Sequence, residues 1–169
     1  MIKISKNKTV LGSEFPYCDT IQLIMIILFF VVWALDSFIC NYSTVLVGFF
    51  PLPLRLFLAI VSLGVGVYLV AKSHNAVFAE AHDQPKLIEA GVYSWVRHPM
   101  YLGTLMFCLG FFFYSFSLFS LGVWIGFFVL YDKMVTYEEK DLIRILGEQY
   151  IAYQKRVPKW VPRIRPGAV

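Results

Sequence analysis

Residues 102–131 read LGTLMFCLGFFFYSFSLFSLGVWIGFFVLY, a run without one Asp, Glu, Lys, Arg or His. As a single helix it would be about 45 Å long, against a hydrocarbon core of about 30 Å. The run is most polar around Tyr114, Ser115 and Ser117. It therefore reads as a hairpin of two membrane helices, broken near Tyr114-Ser115-Phe116-Ser117. The expected arms are residues 99–114 and 117–137, the second running past the membrane surface.

Upstream, residues 21–40 have the length of one bilayer crossing, with Asp36 as the only charge. Asp36 lies near the far end and is expected at the interface, in reach of water. Residues 41–53 form a turn, in which Pro51-Leu52-Pro53 resists helix and marks a restart. A second span is expected over residues 54–71. Its Ser62, Gly64 and Gly66 are small enough for close packing between membrane helices.

The composition agrees. The chain is 59% hydrophobic and 15% charged, with mean hydropathy +0.67, against about 45–50% and about 25% in soluble domains. A water-soluble fold is excluded. The fold class is an all-α integral membrane protein: one domain over residues 1–169, with about four transmembrane helices, the last two forming the hairpin.

The net charge of +4 suits anionic lipid headgroups rather than nucleic acid. Cys18, Cys40 and Cys108 form no CxxC or Cys/His cluster, so neither a disulfide framework nor a metal site is indicated. The first apolar run follows Lys3, Lys6 and Lys8 and lacks a small-residue cleavage site, so it reads as a retained membrane helix.

Two polar segments remain. Residues 72–98 carry His74, Glu80, His82, Asp83, Lys86 and Glu89 among Leu87, Ile88, Val92, Tyr93 and Trp95. They are expected to form an ordered loop folded against the membrane. Residues 138–154 place Leu142, Leu146, Tyr150 and Tyr153 at helical spacing, the pattern of a C-terminal interfacial helix. Pro158, Pro162 and Pro166 then prevent a long continuation.

Four spans put both termini on one side. The N-terminal lysines, the 72–98 segment and Lys155, Arg156, Lys159, Arg163 and Arg165 all fall there, so the positive-inside rule makes that side cytoplasmic. The membrane would be the endoplasmic reticulum in a eukaryote and the plasma or inner membrane in a prokaryote. No feature specifies an oligomeric state.

The chemistry concentrates in residues 91–103, GVYSWVRHPMYLG. Pro99 suits the first turn of a helix. A helix beginning there aims free N–H groups at the loop, an arrangement that attracts anions. Arg97 at that positive end is unfavourable unless an anion joins it, which points to a carboxylate or phosphate site. A second cluster, Glu138-Glu139, falls at the expected end of the last span. There, adjacent acids oppose the helix dipole unless a cation or donor meets them. The hairpin brings the start of one arm to the end of the other. Arg97 and His98 should therefore neighbour Glu138 and Glu139, in a pocket suited to a zwitterion.

At these residues the sequence resembles the isoprenylcysteine carboxyl methyltransferase family, within the wider group that includes phospholipid N-methyltransferases. The shared pattern is G-V-Y-x-W-x-R-H-P-x-Y, then E-E after the hairpin. Leu142-Ile143, Gly147-Glu148, Tyr150, Tyr153 and Arg156-Val157-Pro158 follow in family order.

The resemblance implies S-adenosylmethionine as cofactor, held by the loop and hairpin ends and not by a Rossmann fold; no GxGxxG is present. It implies cofactor contacts at Lys86, Leu87, Ile88, Tyr93, His98, Pro99, Met100, Tyr101 and Glu138. Arg97, Glu138 and Glu139 are the implied catalytic group. The family's substrate-linked arginine, four residues before the first glutamate, is replaced here by Met134, with Lys133 beside it.

The expected partners are the lipid bilayer and a lipophilic small-molecule or prenylated acceptor. The expected reaction is methyl transfer to the carboxylate of an isoprenylcysteine-type substrate. The alternatives are a phospholipid amine or small thiol as acceptor, an NADPH-dependent membrane reductase, and a non-enzymatic four-helix membrane scaffold.

Overall fold

The computed structural model describes residues 18–79 and 87–162, with side chains from residue 20 to 76 and from 87 to 162. Every regular element among them is helical. Helix α1 (Cys18–Ala34) runs on into a π-helical turn, Leu35–Cys40. After a short 3-10 turn come α2 (Leu52–Ala79), a second 3-10 turn at Gly91–Ser94, α3 (Pro99–Ser115), α4 (Leu118–Leu146) and α5 (Glu148–Arg156).

Three stretches are long and apolar enough to cross a membrane: Thr20–Cys40, Leu52–Ala76 and Leu118–Leu146, with mean hydropathy 2.6, 2.2 and 1.5. Helix α3 is a shorter apolar helix of 17 residues. Outward-facing Leu23, Ile27 and Val31 of α1 and Phe57 and Ile60 of α2 suit lipid, since helices satisfy their backbone internally.

The hairpin breaks where its sequence turns polar. Phe116 adopts a left-handed conformation at φ 49°, and Ser117 caps α4 by accepting from the Ser120 amide. Helix α3 packs on α2 through small residues. A Cβ on Gly66 would lie 2.7 Å from the Phe107 amide nitrogen, and one on Gly103 would lie 2.9 Å from the Gly66 carbonyl. Ser62 Oγ donates to the Met106 carbonyl at 2.7 Å. Gly64, by contrast, faces open space, so only two of the three small residues make the contact. Helix α1 joins the hairpin through buried Phe29 and through Trp33, whose indole N–H donates to the Phe111 carbonyl at 2.9 Å.

Three sequence expectations need correction. Asp36 is 3% exposed and does not reach water. It accepts from the Ser43 amide at 3.1 Å, from Ser43 Oγ and from Ser117 Oγ at 2.6 Å. Hydroxyls of the turn and the hairpin replace the solvent expected there.

Second, α2 continues to Ala79 rather than ending at 71. Nothing from Lys72 to Ala79 breaks a helix, so polarity alone was a poor boundary.

Third, residues 138–154 are not one interfacial helix. Helix α4 absorbs the charged stretch as far as Leu146, because Glu, Lys, Leu and Arg are good helix formers. The break comes at Gly147, whose φ 55° and ψ −131° fall where residues with a Cβ are strained. Leu142, Leu146, Tyr150 and Tyr153 still cluster, folded together across that break with Leu87 and Val157.

Candidate functional site

The site gathers where the loop before α3 meets the last third of α4, α5 and the segment that follows α5. Gly91, at φ 62°, starts the 3-10 turn that leads to Arg97 and His98. His98 occupies the N-cap position of α3 and Pro99 its first turn. The Arg97 amide donates to the Pro158 carbonyl at 3.0 Å, which ties this loop to the segment after α5.

Glu139 is the hub. Its Oε1 accepts from Arg97 Nε at 2.7 Å and lies 3.0 Å from His98 Nε2; its Oε2 accepts from Gln154 Nε2 at 3.1 Å. Arg97 Nη1 donates to the carbonyls of Gln154 at 3.2 Å and Val157 at 2.7 Å. Among the described residues its Nη2 has no partner. The Arg97 and Glu139 side chains are each only 11% exposed. A pair this buried is held by its full set of hydrogen bonds, because the Coulomb attraction must offset a large loss of hydration.

Glu138 points elsewhere. It is half-buried and accepts from the Tyr101 hydroxyl. Tyr101 in turn packs edge-on against Tyr131 at 4.7 Å.

Burial lowers His98 below its ordinary 6.5, against the opposing pull of Glu139. The imidazole is therefore neutral near pH 7. If Nε2 carries the proton toward Glu139, Nδ1 is left as an acceptor. Burial also pushes the Tyr93 phenol up to about 12, and raises Tyr150 and Tyr153 further, so these hydroxyls remain protonated donors.

The arrangement unites Arg97, His98 and Glu139, and links Tyr101 to Glu138 one residue along α4. It also changes their reading. Glu138 and Glu139 lie within α4, not at a helix end, so no dipole penalty applies. The anion called for by Arg97 at the α3 start is supplied from within the chain by Glu139. Leu87 packs with Tyr150 and Tyr153 and lines an open groove of about 490 Å³ with Glu89, Gln149, Ala152 and Arg156. Tyr93 gives its carbonyl to the Tyr153 hydroxyl at 2.6 Å. Ile88 and Met100 are half-buried beside these residues in sequence, and Lys86 lies outside the described residues. Met134 is fully buried and Lys133 exposed, so the position of the family's substrate-linked arginine carries no charge here. No group of His, Cys, Asp or Glu among the described residues is arranged to hold a metal.

Sequence reasoning missed Gln154, the Val157 and Pro158 carbonyls, and a cluster of Asp132, Lys159 and Trp160. A Trp in a proline-rich basic tail was the one available signal.

A sequence model described as phospholipid methyltransferase matches residues 54–149. The chain is 36% identical over 95 residues to a protein-S-isoprenylcysteine O-methyltransferase of Schizosaccharomyces pombe, covering 53% of this chain and 39% of that protein. It is 33% identical over 93 residues to the one from Xenopus laevis, covering 54% and 32%. It therefore spans well under half the length of these curated relatives. The solved structure of a eukaryotic intramembrane Ras methyltransferase, isoprenylcysteine carboxyl methyltransferase, shares the fold. Its TM-score is 0.53 at 20% identity, over 87% of this chain and 54% of that one. A family match that covers more than half of the chain and includes Arg97, His98, Tyr101, Glu138 and Glu139 leads to one conclusion: the chain belongs to the phospholipid methyltransferase family.

Proposed function

We propose that the chain methylates a membrane-embedded, lipid-like acceptor, the carboxylate of an isoprenylcysteine-type substrate, using S-adenosylmethionine at the Arg97–His98–Glu138–Glu139 site on the cytoplasmic face. The observation that carries the reading is the convergence of Arg97 and His98 on Glu139 beside a Tyr101–Glu138 pair, inside the family-matched segment.

The residues present fit the cofactor. In formal charge, Arg97 set against Glu138 and Glu139 leaves one net negative charge beside the His98 ring. That complements a ligand with a sulfonium, an ammonium and a carboxylate. When bound, S-adenosylmethionine supplies a methyl group that an acceptor carboxylate takes by in-line displacement, the carbon–sulfur bond breaking and its electron pair staying on sulfur. Such an acceptor is already ionised near neutral pH, so no general base is required.

The chain's own groups contribute orientation. Glu139 holds the guanidinium of Arg97 in place, leaving Nη2 to meet a carboxylate. Glu138, oriented by Tyr101, offers negative charge to a cation. The Met100 N–H precedes the first intrahelical hydrogen bond of α3 and is positioned to donate to a ligand. Trp160 and the tyrosines restrict water around the reacting groups.

A second acceptor is favoured by one observation. The buried His98 ring lies 3.0 Å from Glu139, a pair able to take up a proton, which a phospholipid amine must lose and a carboxylate need not. Neither the reductase nor the scaffold has a comparable observation in its favour.

The test is calorimetric titration of the detergent-purified chain with S-adenosylmethionine and with NADPH, beside an Arg97→Ala/Glu138→Ala variant. Methyl transfer is then assayed to a prenylcysteine and to phosphatidylethanolamine. Saturable binding of S-adenosylmethionine that the variant loses, with turnover of the prenylcysteine, is expected. Turnover of the amine alone moves the acceptor; binding of NADPH alone, or of neither, overturns the methyl-transfer reading.

A further inference from the structure

Asp132 lies on α4 two turns before Glu139, and among the described residues no hydrogen bond or ion pair joins it to Arg97, Glu138 or Glu139. It nevertheless collects two donors from the segment after α5. Lys159 Nζ and Trp160 Nε1 reach the same Oδ1, at 2.6 and 2.8 Å. Lys159 Nζ also donates to Thr136 Oγ1 at 2.8 Å and to the Asp132 carbonyl at 3.2 Å. The indole is thereby laid 5.3 Å from the Phe128 ring and 6.5 Å from the His98 ring.

The same segment is gripped upstream by Arg97, through the Pro158 and Val157 carbonyls at 3.0 and 2.7 Å. Residues 157–160 are thus fastened twice, once to the α3 entry loop and once to α4, with Trp160 against His98 beside the second fastening. The Asp132 side chain is 45% exposed. A lone ion pair so exposed would hold little, whereas two donors converging on one oxygen and an indole packed on rings fix a geometry.

We propose that Asp132 is a positioning residue of the methyl-transfer site: it clasps Lys159 and Trp160 so that the indole shields His98 and the Val157 and Pro158 carbonyls stay seated on Arg97. The proposal rests on the methyl-transfer reading of that site. With the clasp open, water reaches His98 and Arg97 loses acceptors that hold its guanidinium, so the cofactor meets a looser pocket.

The experiment uses the full chain in detergent as wild type, Asp132→Ala, Asp132→Glu and Trp160→Phe. Carbethoxylation of each histidine is followed by mass spectrometry, with exposed His74 as the internal reference. S-adenosylmethionine affinity is measured by calorimetry alongside. Asp132→Ala is expected to speed modification of His98 relative to His74, and to weaken S-adenosylmethionine binding, each by at least about five-fold. Asp132→Glu, which keeps the carboxylate, restores both to within about two-fold. Trp160→Phe, which loses only the N–H, falls between. A merely structural role would lower the melting temperature and leave the His98 rate unchanged below it. A folded Asp132→Ala chain with an unchanged His98 rate overturns the proposal; if that variant does not fold, an unchanged rate in Trp160→Phe does so. Wild-type binding of S-adenosylmethionine that Asp132→Ala leaves intact overturns the positioning role alone. A wild type that binds none overturns the methyl-transfer reading and the positioning role with it.

Discussion

Replacing Glu139 with alanine removes the carboxylate on which three side chains converge. Arg97 Nε, His98 Nε2 and Gln154 Nε2 lie 2.7, 3.0 and 3.1 Å from its oxygens. At 11% side-chain exposure for both Arg97 and Glu139, water replaces little of what is lost. A hydrogen bond to a charged group contributes about 1.5–3 kcal/mol, and removing one member of a buried ion pair costs about 3–5 kcal/mol. The Gln154 and Val157 carbonyls still accept from Arg97, which places the expected loss at the lower end, about 3 kcal/mol. A chain of this size loses about 2–4 °C of melting temperature per kcal/mol, so the shift is about 6–12 °C. Glu139→Gln keeps an acceptor for Arg97 and His98 but sets an amide N–H against Gln154, and should lose less. The assay is thermal unfolding in one detergent, followed by tryptophan fluorescence at one scan rate. An alanine variant melting within about 2 °C of wild type would refute the hub assignment.

Other perturbations follow from the same geometry. Tyr101→Phe removes the donor that orients Glu138, and calorimetry should find S-adenosylmethionine binding weakened about ten-fold. His98 is held below its ordinary 6.5 by burial, so the unfolded chain takes up the proton first as pH falls. The stability from neutral His98 is complete above about 6.5 and is lost as pH drops toward the folded value. Melting curves from about pH 7.5 to about pH 5.5 should show this decline, and His98→Asn should flatten it. Gly66→Ala drives a methyl to within 2.7 Å of the Phe107 backbone and should cost about 1–3 kcal/mol. Gly64→Ala meets open space and should melt no lower than wild type; equal melting of the two would remove Gly66 from the α2–α3 contact.

The membrane class and the hairpin were legible in the sequence, because both follow from local quantities. Length and apolarity set the spans, and the polar interruption around Ser115 and Ser117 marks a break that no distant contact has to specify. Pro99 likewise marks the α3 start through its own fixed φ. Arg97, His98, Glu138 and Glu139 could be brought together from the hairpin's connectivity alone, since its two arms return to one face. Their roles could not be separated that way. Which glutamate faces Arg97 depends on the rotation of α4, a turn of about 100° per residue. That rotation is set by Phe127, Tyr131 and Val135 packing in the core.

Where polarity had to serve as a guide to structure, it misled. Asp36 looked interfacial because it is charged, yet Ser43 and Ser117, far apart in sequence, supply its donors inside the fold. The charged residues after Tyr137 looked like a separate surface helix. They extend α4, because helix propensity continues until Gly147 supplies a backbone conformation that ends it. The Asp132–Lys159–Trp160 clasp left almost no trace, since its members are 27 and 28 residues apart and joined by side chains alone. By itself the sequence determined the membrane class, where the hairpin breaks and α3 begins, and which charged residues gather at the hairpin's open end, all consequences of local chemistry and chain connectivity. Only the tertiary structure decided which partner each charge takes and what is shielded from water, because those depend on the rotation of packed helices and on contacts between distant segments.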